Sequence, residues 1–113
     1  MSSQIPANVA KAYIDNYRQG LPPGSLRSAW IDRSFIDAIL TLSTTHALDG
    51  VRVYLARYTD NIDVPGLTAA SGDETVIIVP TEEDESGSRQ DVDTAYYDYS
   101  HVCPPYCDGD IGG

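Results

Sequence analysis

The sequence predicts an α+β fold, in which a small antiparallel sheet of about three strands is covered by one or two helices. Three segments of the 113-residue chain predict it. Residues 50–58 alternate side chains with the two-residue period of a strand, and residues 75–79 form a run of β-branched residues. Residues 35–42 repeat apolar side chains at helical spacing. A chain of this length has room for one core, which we assign to residues 1–80, followed by an acidic arm (81–94) and a C-terminal cap (95–113).

The first element is a short amphipathic helix. Pro6 suits a first helical turn, and Val9, Tyr13 and Tyr17 then recur every four residues. Gln19 and Gly20 end the pattern. The segment 21–25, Leu-Pro-Pro-Gly-Ser, cannot continue a helix and predicts a rigid turn.

A strand near Trp30 leads into the second helix. Residues 26–31 alternate loosely, and residues 32–34 contain helix-capping side chains. Ser34, with Asp37 three residues later, resembles a capping box in front of a helix over 35–42. A single helix over 25–45, with no strand at Trp30, is the alternative.

The central strand has one apolar and one amphipathic side. Val51, Val53 and Leu55 fall on the first, and the second carries Arg52, Tyr54, Ala56 and Tyr58. Its predicted antiparallel partner is the segment 75–79, where an uninterrupted apolar run suits a strand covered on both faces. Between them, the turn signals of residues 59–72 predict irregular backbone, either a mobile surface excursion or a binding loop.

The net charge of −10 is concentrated in the second half of the chain. Residues 1–58 hold four acids and six bases, whereas residues 59–113 hold thirteen acids and Arg89 alone. We therefore expect no binding to nucleic acid or anionic membranes. The arm 81–94 contains one apolar residue in fourteen, so we expect it to be solvated, flexible and outside the core.

No apolar run is long enough to span a membrane, and the N-terminus lacks the features of a signal peptide. These observations predict a soluble, cytoplasmic protein. A reducing cytosol usually keeps thiols free, which disfavours a structural disulfide between Cys103 and Cys107.

The C-terminal cap holds the one cluster of metal-capable side chains. His101, Cys103 and Cys107 could supply three of the four ligands that zinc prefers, with Asp108, Asp110 or His46 as the fourth. A local disulfide and ordinary packing of free thiols are the alternatives. Dithiol exchange is disfavoured, because three residues separate the cysteines and the neighbouring acids raise a thiol pKa.

Two prolines stiffen the same segment. Pro104 and Pro105 favour an extended polyproline conformation and are flanked by Tyr99 and Tyr106. This segment either folds back so that its aromatic rings cover the sheet, or it is presented as a ligand to another protein.

The strand beginning Asp49-Gly50-Val-Arg-Val-Tyr, the run 75–81 and the closing Cys103-Pro-Pro-Tyr-Cys107 together resemble a group of small bacterial proteins of the Bacteroidota type. The resemblance covers residues 26–107. It implies a soluble intracellular α+β protein, and it implies no activity and no site residue.

The sequence contains no assembled catalytic set, and we expect the protein not to be an enzyme. The leading hypothesis is a protein-interaction or accessory module that acts through its acidic surface, its long loops or both. Self-association as a homodimer is included, because one face of so small a sheet needs the N-terminal helix, the tail or a second subunit to cover it. The alternatives are a zinc or thiol protein that uses Cys103 and Cys107, an acidic inhibitor that mimics nucleic acid, and an enzyme with a pocket under the loop at residues 65–72.

Overall fold

The computed structural model describes residues 3–65, 67–92, 95–99 and 102–103. Within these residues the chain forms two helices and several antiparallel strands, which confirms the α+β fold with an antiparallel sheet. In chain order the elements are α1 (Ala7–Arg18), β1 (Ser28–Ala29), α2 (Arg33–Leu42), β2 (Leu48–Arg57), β3 (Ile62–Val64), β4 (Leu67–Ala69), β5 (Glu74–Glu83), β6 (Arg89–Asp91), β7 (Tyr97–Tyr99) and β8 (Val102–Cys103).

Strand β5 lies at the centre of the main sheet. β2 pairs along one side of it, from Arg57 opposite Glu74 to Leu48 opposite Glu82, with a bulge at Asp49. β6 and β7 share the other side, where they pair with residues 81–83 and 76–78 respectively. In the described part of the chain β2 pairs with β5 alone, so β2 is an edge strand.

The N-terminal helix is confirmed. α1 follows Pro6, which occupies the N-cap with extended backbone, and ends before Gln19. None of its residues is buried, and Tyr13 and Tyr17 are exposed. The period of the apolar residues thus predicted the helix correctly, but α1 contributes little to the core.

The strand near Trp30 and the helix after it are both confirmed, but the residue that caps the helix differs from the predicted one. β1 covers Ser28–Ala29, so the alternative of one continuous helix is wrong. The N-cap of α2 is Asp32, whose carboxylate accepts a hydrogen bond from the Phe35 N–H at 3.0 Å. The Ser34 hydroxyl donates to the same carboxylate at 2.7 Å, so Ser34 supports the cap and does not start a capping box with Asp37.

The core lies on one face of the main sheet, which we call the core face. Phe35, Val76, Ile78 and Val102 form its buried centre. The side chains packed against this centre come from β1, α2, β7 and the segment before β1: Leu26, Ala29, Ile39 and Tyr97. The rings of Phe35 and Tyr97 meet edge to face, with centroids 5.1 Å apart. α2 and the small β1–β8 sheet thus cover β5 and β7 on this face.

The excursion after β2 is a hairpin, and the expectation of irregular backbone is wrong. Strands β3 and β4 pair antiparallel, with Val64 opposite Leu67. The neck of the hairpin is closed because the Tyr58 N–H donates to the Asp73 carbonyl at 3.0 Å and the Gly72 N–H donates to the Tyr58 carbonyl at 2.8 Å. Gly72 takes a positive φ of 90°, which a glycine adopts at little cost.

The acidic segment also belongs to the sheet. β5 continues to Glu83, and β6 returns as its partner, with Asp91 opposite Thr81. Thr81 and Val92 are buried, so the expectation that residues 81–94 lie outside the core is wrong at these positions. The paired backbone explains the difference, because strand pairing does not need apolar side chains on the solvated face.

The described end of the tail packs on the domain. β8 pairs antiparallel with β1, with Ser28 opposite Cys103, and the Arg27 N–H donates to the Cys103 carbonyl at 2.7 Å. Val102 and Cys103 are both buried. The C-terminal strand therefore completes the core face. The sequence analysis included a tail that folds back over the sheet, but it did not predict that residues 102–103 pair with β1 as a strand.

Neither helix in the described part of the chain has the length and apolar character needed to cross a membrane.

Candidate functional site

The face of the main sheet opposite the core face, which we call the tyrosine face, carries a network of long polar side chains. Arg52 Nη1 donates to Asp91 Oδ1 at 2.7 Å, and the Tyr54 hydroxyl donates to the other oxygen of the same carboxylate. Directly after the end of β2, the Tyr58 hydroxyl lies 2.8 Å from Asp98 Oδ2. The network therefore links β2 to β6 and β7 across the central strand.

The register of the strands explains this geometry. Arg52 lies opposite Val79 and Asp91 lies opposite Thr81, so the side chains of all four share one face. The arginine and tyrosine side chains are long enough to reach over β5 to acids on the next strands. Val79 beneath them is fully buried. The prediction that the β-branched run is covered on both faces is thus confirmed, with polar side chains in place of a second helix.

Two groups of this network have a shifted pKa: Arg52, whose pKa is raised, first of all by its hydrogen bond with Tyr54, and Tyr58. Its partial burial raises the pKa of the phenol above the ordinary value, and the neighbouring Asp98 carboxylate raises it further, against the lowering effect of the Thr75 hydroxyl. The Thr75 hydroxyl donates to the same carboxylate at 3.0 Å. The Tyr58 phenol, the Thr75 hydroxyl and the Asp98 carboxylate are therefore joined by hydrogen bonds. This end of the network helps to hold the sheet together.

The core face is buried at β5 but exposed at β2. Val51, Val53 and Leu55 lie opposite Pro80, Ile78 and Val76 and share the core face with them. The three β5 residues are buried, whereas the three β2 residues are 47%, 50% and 76% exposed. α2 and the β1–β8 sheet cover β5 and leave β2 open. We call Val51, Val53 and Leu55 the apolar stripe.

The stripe coincides with the free backbone edge of β2. The Tyr58 N–H is bonded to the Asp73 carbonyl, and every second residue back along β2 repeats this orientation toward β5. The intervening residues, Val51, Val53 and Leu55, then direct their N–H and C=O groups away from β5. The position of Pro80 supports this assignment. Pro80 lies opposite Val51 and has no N–H to donate, as expected for a pair that exchanges no hydrogen bonds between β2 and β5. In the part of the chain that the structure describes, exposed apolar side chains and amide groups without a strand partner therefore belong to the same three residues.

The residues of the predicted C-terminal site are only partly described. Cys103 is fully buried and disulfide-bonded, which is one of the alternatives that the sequence left open. His101, Cys107, Pro104, Pro105 and Tyr106 lie outside the described residues. Tyr99 is placed by its backbone alone, in β7 opposite Val76.

A disulfide-bonded sulfur does not offer the thiolate that zinc requires. The zinc hypothesis therefore applies to the reduced chain and stays a prediction. His46, one of the three candidates for the fourth ligand, has its Nδ1 3.5 Å from a carboxylate oxygen of Glu82. No group of three His, Cys, Asp or Glu side chains is arranged to hold a metal ion in the residues that the structure describes.

Sequence reasoning found the two faces of β2 but missed what each of them does. No pattern in the sequence indicates that Asp91 bonds to Arg52 and Tyr54. The alternation of residues 50–58 identified the apolar stripe, but it held no signal that β2 would lie at an edge, because strand order depends on contacts remote in sequence. Pro80 indicates which amides of β2 point away from β5, but this inference needs the strand register, which the sequence does not contain.

Comparisons of the chain with known protein families, with curated proteins and with solved structures found no match. The resemblance to small Bacteroidota-type proteins stays a prediction.

Proposed function

We propose that the protein is a non-enzymatic interaction module that binds an extended polypeptide segment along the free edge of β2. One observation carries the proposal: the apolar stripe is about half exposed or more, on an edge strand of ten residues. Exposed apolar residues scattered singly are ordinary, whereas a row of them on an unpaired strand edge marks a surface for association.

Between residues 50 and 56, strand β2 lacks the features that natural proteins use to keep a sheet edge unpaired, and its bulge lies before this segment, between Leu48 and Gly50. Such edges are typically short, or carry proline or outward-facing charged side chains. β2 contains no proline, and its one charged residue between positions 50 and 56, Arg52, is on the tyrosine face and bonded to Asp91. The absence of protection along the stripe supports a role in binding.

The chemistry of the edge specifies the kind of ligand. A bound strand would receive main-chain hydrogen bonds from Val51, Val53 and Leu55, and its own alternate side chains would pack on the stripe. The ligand that fits is an extended segment with apolar residues at every second position. Affinity should depend on strand pairing and apolar burial, and only weakly on salt.

Exchanging Val53 for lysine tests this proposal. Val53→Lys places a charge in the middle of the stripe, and Leu40→Lys is a matched control because Leu40 is an exposed apolar residue of α2. Partners captured from the native host by the wild-type chain should be lost with Val53→Lys and kept with Leu40→Lys. The amides of Val51, Val53 and Leu55 should become protected from hydrogen exchange in the purified complex. Partners that bind both variants equally and leave these amides unprotected would refute strand addition.

The acidic hairpin β5–β6 offers the alternative surface that the charge distribution suggests. A nucleic-acid mimic would bind a basic protein, and its binding would weaken steeply as salt is raised. Repeating the capture at low and high salt separates the two proposals, because apolar strand pairing persists at high salt.

The compartment is part of the proposal as well. We propose a cytoplasmic location, although the disulfide at Cys103 is a bond that a reducing cytosol disfavours. A count of free thiols in protein that is alkylated during cell lysis tests this. Two reactive thiols fit the cytoplasm, and none would indicate an oxidising compartment.

A further inference from the structure

We propose that the segment that pairs with β2 is β2 of a second copy of this chain, which forms a two-fold symmetric dimer centred on Val53. This inference rests on the proposed function, because it names the partner of the same edge. Two antiparallel copies of one strand meet through a two-fold axis, and such an interface must be complementary to itself.

The residues of the stripe satisfy this condition. With the axis at Val53, Val53 faces Val53 of the partner subunit and Val51 faces Leu55 of the partner subunit. All three are residues whose amide groups point outward, so each pair can exchange two N–H···O=C bonds. Their side chains lie on the same face of both sheets, and apolar residues meet only apolar residues.

Other registers are less favourable. An axis at Leu55 would place Val53 opposite Arg57 of the partner subunit. An axis at Val51 would place Val53 opposite Asp49 of the partner subunit and would leave Leu55, 76% exposed, beyond the bulge of the partner strand. Only the axis at Val53 pairs all three apolar residues.

The charges of β2 permit the pairing at Val53. Arg52 would face Tyr54 of the partner subunit, and its guanidinium is already held by Asp91. Arg57, four positions from the axis, has Glu74 at 3.5 Å. No two like charges lie directly opposite one another in this register, so electrostatic repulsion does not oppose it.

The three residues of the apolar stripe are 47%, 50% and 76% exposed, so a partner strand would bury apolar surface that the described part of the chain leaves open. A second copy on the β2 edge would join two four-stranded sheets into one continuous sheet.

Cysteine cross-linking with the native disulfide intact tests the register. Hydrogen-bonded pairs in antiparallel strands have Cα atoms about 5.5 Å apart, which is within the range of a disulfide. Val53→Cys should therefore form covalent dimers on mild oxidation. Leu55→Cys is the matched control. In this register its two copies would lie four residues apart along the paired strands, too far for a disulfide. The double variant Val51→Cys with Leu55→Cys should cross-link again.

Sedimentation equilibrium of the wild-type chain and Val53→Lys provides a second test. The wild type should be a dimer, and the lysine should weaken dimerisation by about tenfold or more, since two lysines would face each other at the axis. Circular dichroism establishes that the variant is folded. A wild-type chain that is monomeric at all concentrations, together with Val53→Cys that cross-links no more than Leu55→Cys, would overturn the dimer.

Failure of the dimer can be distinguished from failure of the proposed function. A monomeric wild type that binds a different protein, and loses it with Val53→Lys, overturns self-association and leaves the edge as the binding site. If the lysine changes neither self-association nor the binding of any other protein, both proposals fail.

Discussion

Asp91 is the residue on which the tyrosine face depends most. Its carboxylate accepts from both Arg52 and Tyr54, and its side chain is only 15% exposed. Asp91→Ala should lower the free energy of unfolding by about 1–3 kcal/mol, because it leaves two donors without their acceptor. Partial exposure of Arg52 places the value toward the lower end.

Urea denaturation measures this effect, and Asp37→Ala is the control. Asp37 forms an exposed pair with Arg33 at 3.9 Å, so its removal should change stability by no more than about 0.5 kcal/mol. Equal effects of the two substitutions would mean that the network is solvated and does not hold the sheet.

Tyr58 makes stability depend on alkaline pH. The pKa of its phenol is raised above the ordinary value because the group is partly buried beside Asp98. A raised pKa in the folded state means that the stabilisation is fully present below about pH 10, the ordinary tyrosine pKa, and is lost as pH rises through the folded pKa. Absorbance at 295 nm should show that the Tyr58 phenol ionises in a late step, above the ordinary tyrosine pKa.

Tyr58→Phe should remove that late step and flatten the fall in stability above pH 10. Tyr13→Phe is the control, since Tyr13 is an exposed residue of α1. Loss of the late step in the Tyr13 variant, or its persistence in the Tyr58 variant, would contradict the assignment.

At this scale the sequence predicted which residues share a face but not their partners. The two-residue period placed Arg52, Tyr54 and Tyr58 together, because a strand has no other geometry. It could not predict Asp91 and Asp98, since the acids come from strands about 40 residues later. Their contacts depend on the order of strands around β5.

Of the two helices, α2 contributes to the core through Phe35, whereas no residue of α1 is buried. Phe35 is 7% exposed, and its neighbour Ile36 is 52% exposed. Phe35→Ala should cost about 3–5 kcal/mol, because it removes a large buried ring and leaves a cavity beside Tyr97. Ile36→Ala should cost about 0.5 kcal/mol or less.

Thermal and urea unfolding of both variants checks this difference between adjacent residues. A large loss with Ile36→Ala and a small one with Phe35→Ala would mean that α2 presents the opposite side to the sheet.

The turn between β5 and β6 depends on Asp84. One carboxylate oxygen accepts from the Ser86 hydroxyl and from the N–H groups of Ser86 and Ser88, and the other accepts from Gln90. These hydrogen bonds hold the pKa of Asp84 below its usual range, and the bond from the Ser86 hydroxyl has the largest effect. A lowered pKa stabilises the turn above the ordinary Asp pKa of about 3.9, and this stabilisation is lost as pH falls through the folded pKa.

The protection factors of the Ser86 and Ser88 amides, which correct for the intrinsic exchange rate at each pH, should therefore fall in acid, and Asp84→Ala should lower them at neutral pH. Glu85→Ala, one residue later on the exposed turn, should leave these amides unchanged. Protection that does not depend on Asp84 would show that strand pairing alone forms the turn.

The elements most accessible from sequence were those with a strong local period. α1, α2 and β2 were predicted within a few residues, because helical and strand periods leave a direct pattern in the side chains. β3, β4 and β6 were missed. Their residues are polar or few, and they are strands because their backbone groups pair, which the side-chain pattern does not record.

In the whole molecule, the two faces of the sheet are covered in different ways. α2 and the β1–β8 sheet cover the core face over β5, and polar side chains cover the tyrosine face. Only the core face of β2 lacks a cover in the described structure, and there the apolar stripe and the free amides coincide. The sequence predicted that a sheet of this size would need another layer or a second subunit, but not which strand would lie open.

Amide hydrogen exchange of the wild-type chain at two protein concentrations tests the binding edge most directly. The second-copy proposal predicts that the amides of Val51, Val53 and Leu55 exchange fast in dilute solution and slowly at high concentration, because a partner strand then accepts their hydrogen bonds. The amide of Tyr58, which is bonded to Asp73 within the same chain, is the internal control and should be protected at both concentrations. Fast exchange of the three edge amides at every concentration, with no binding partner present, would contradict pairing of this edge with a second copy.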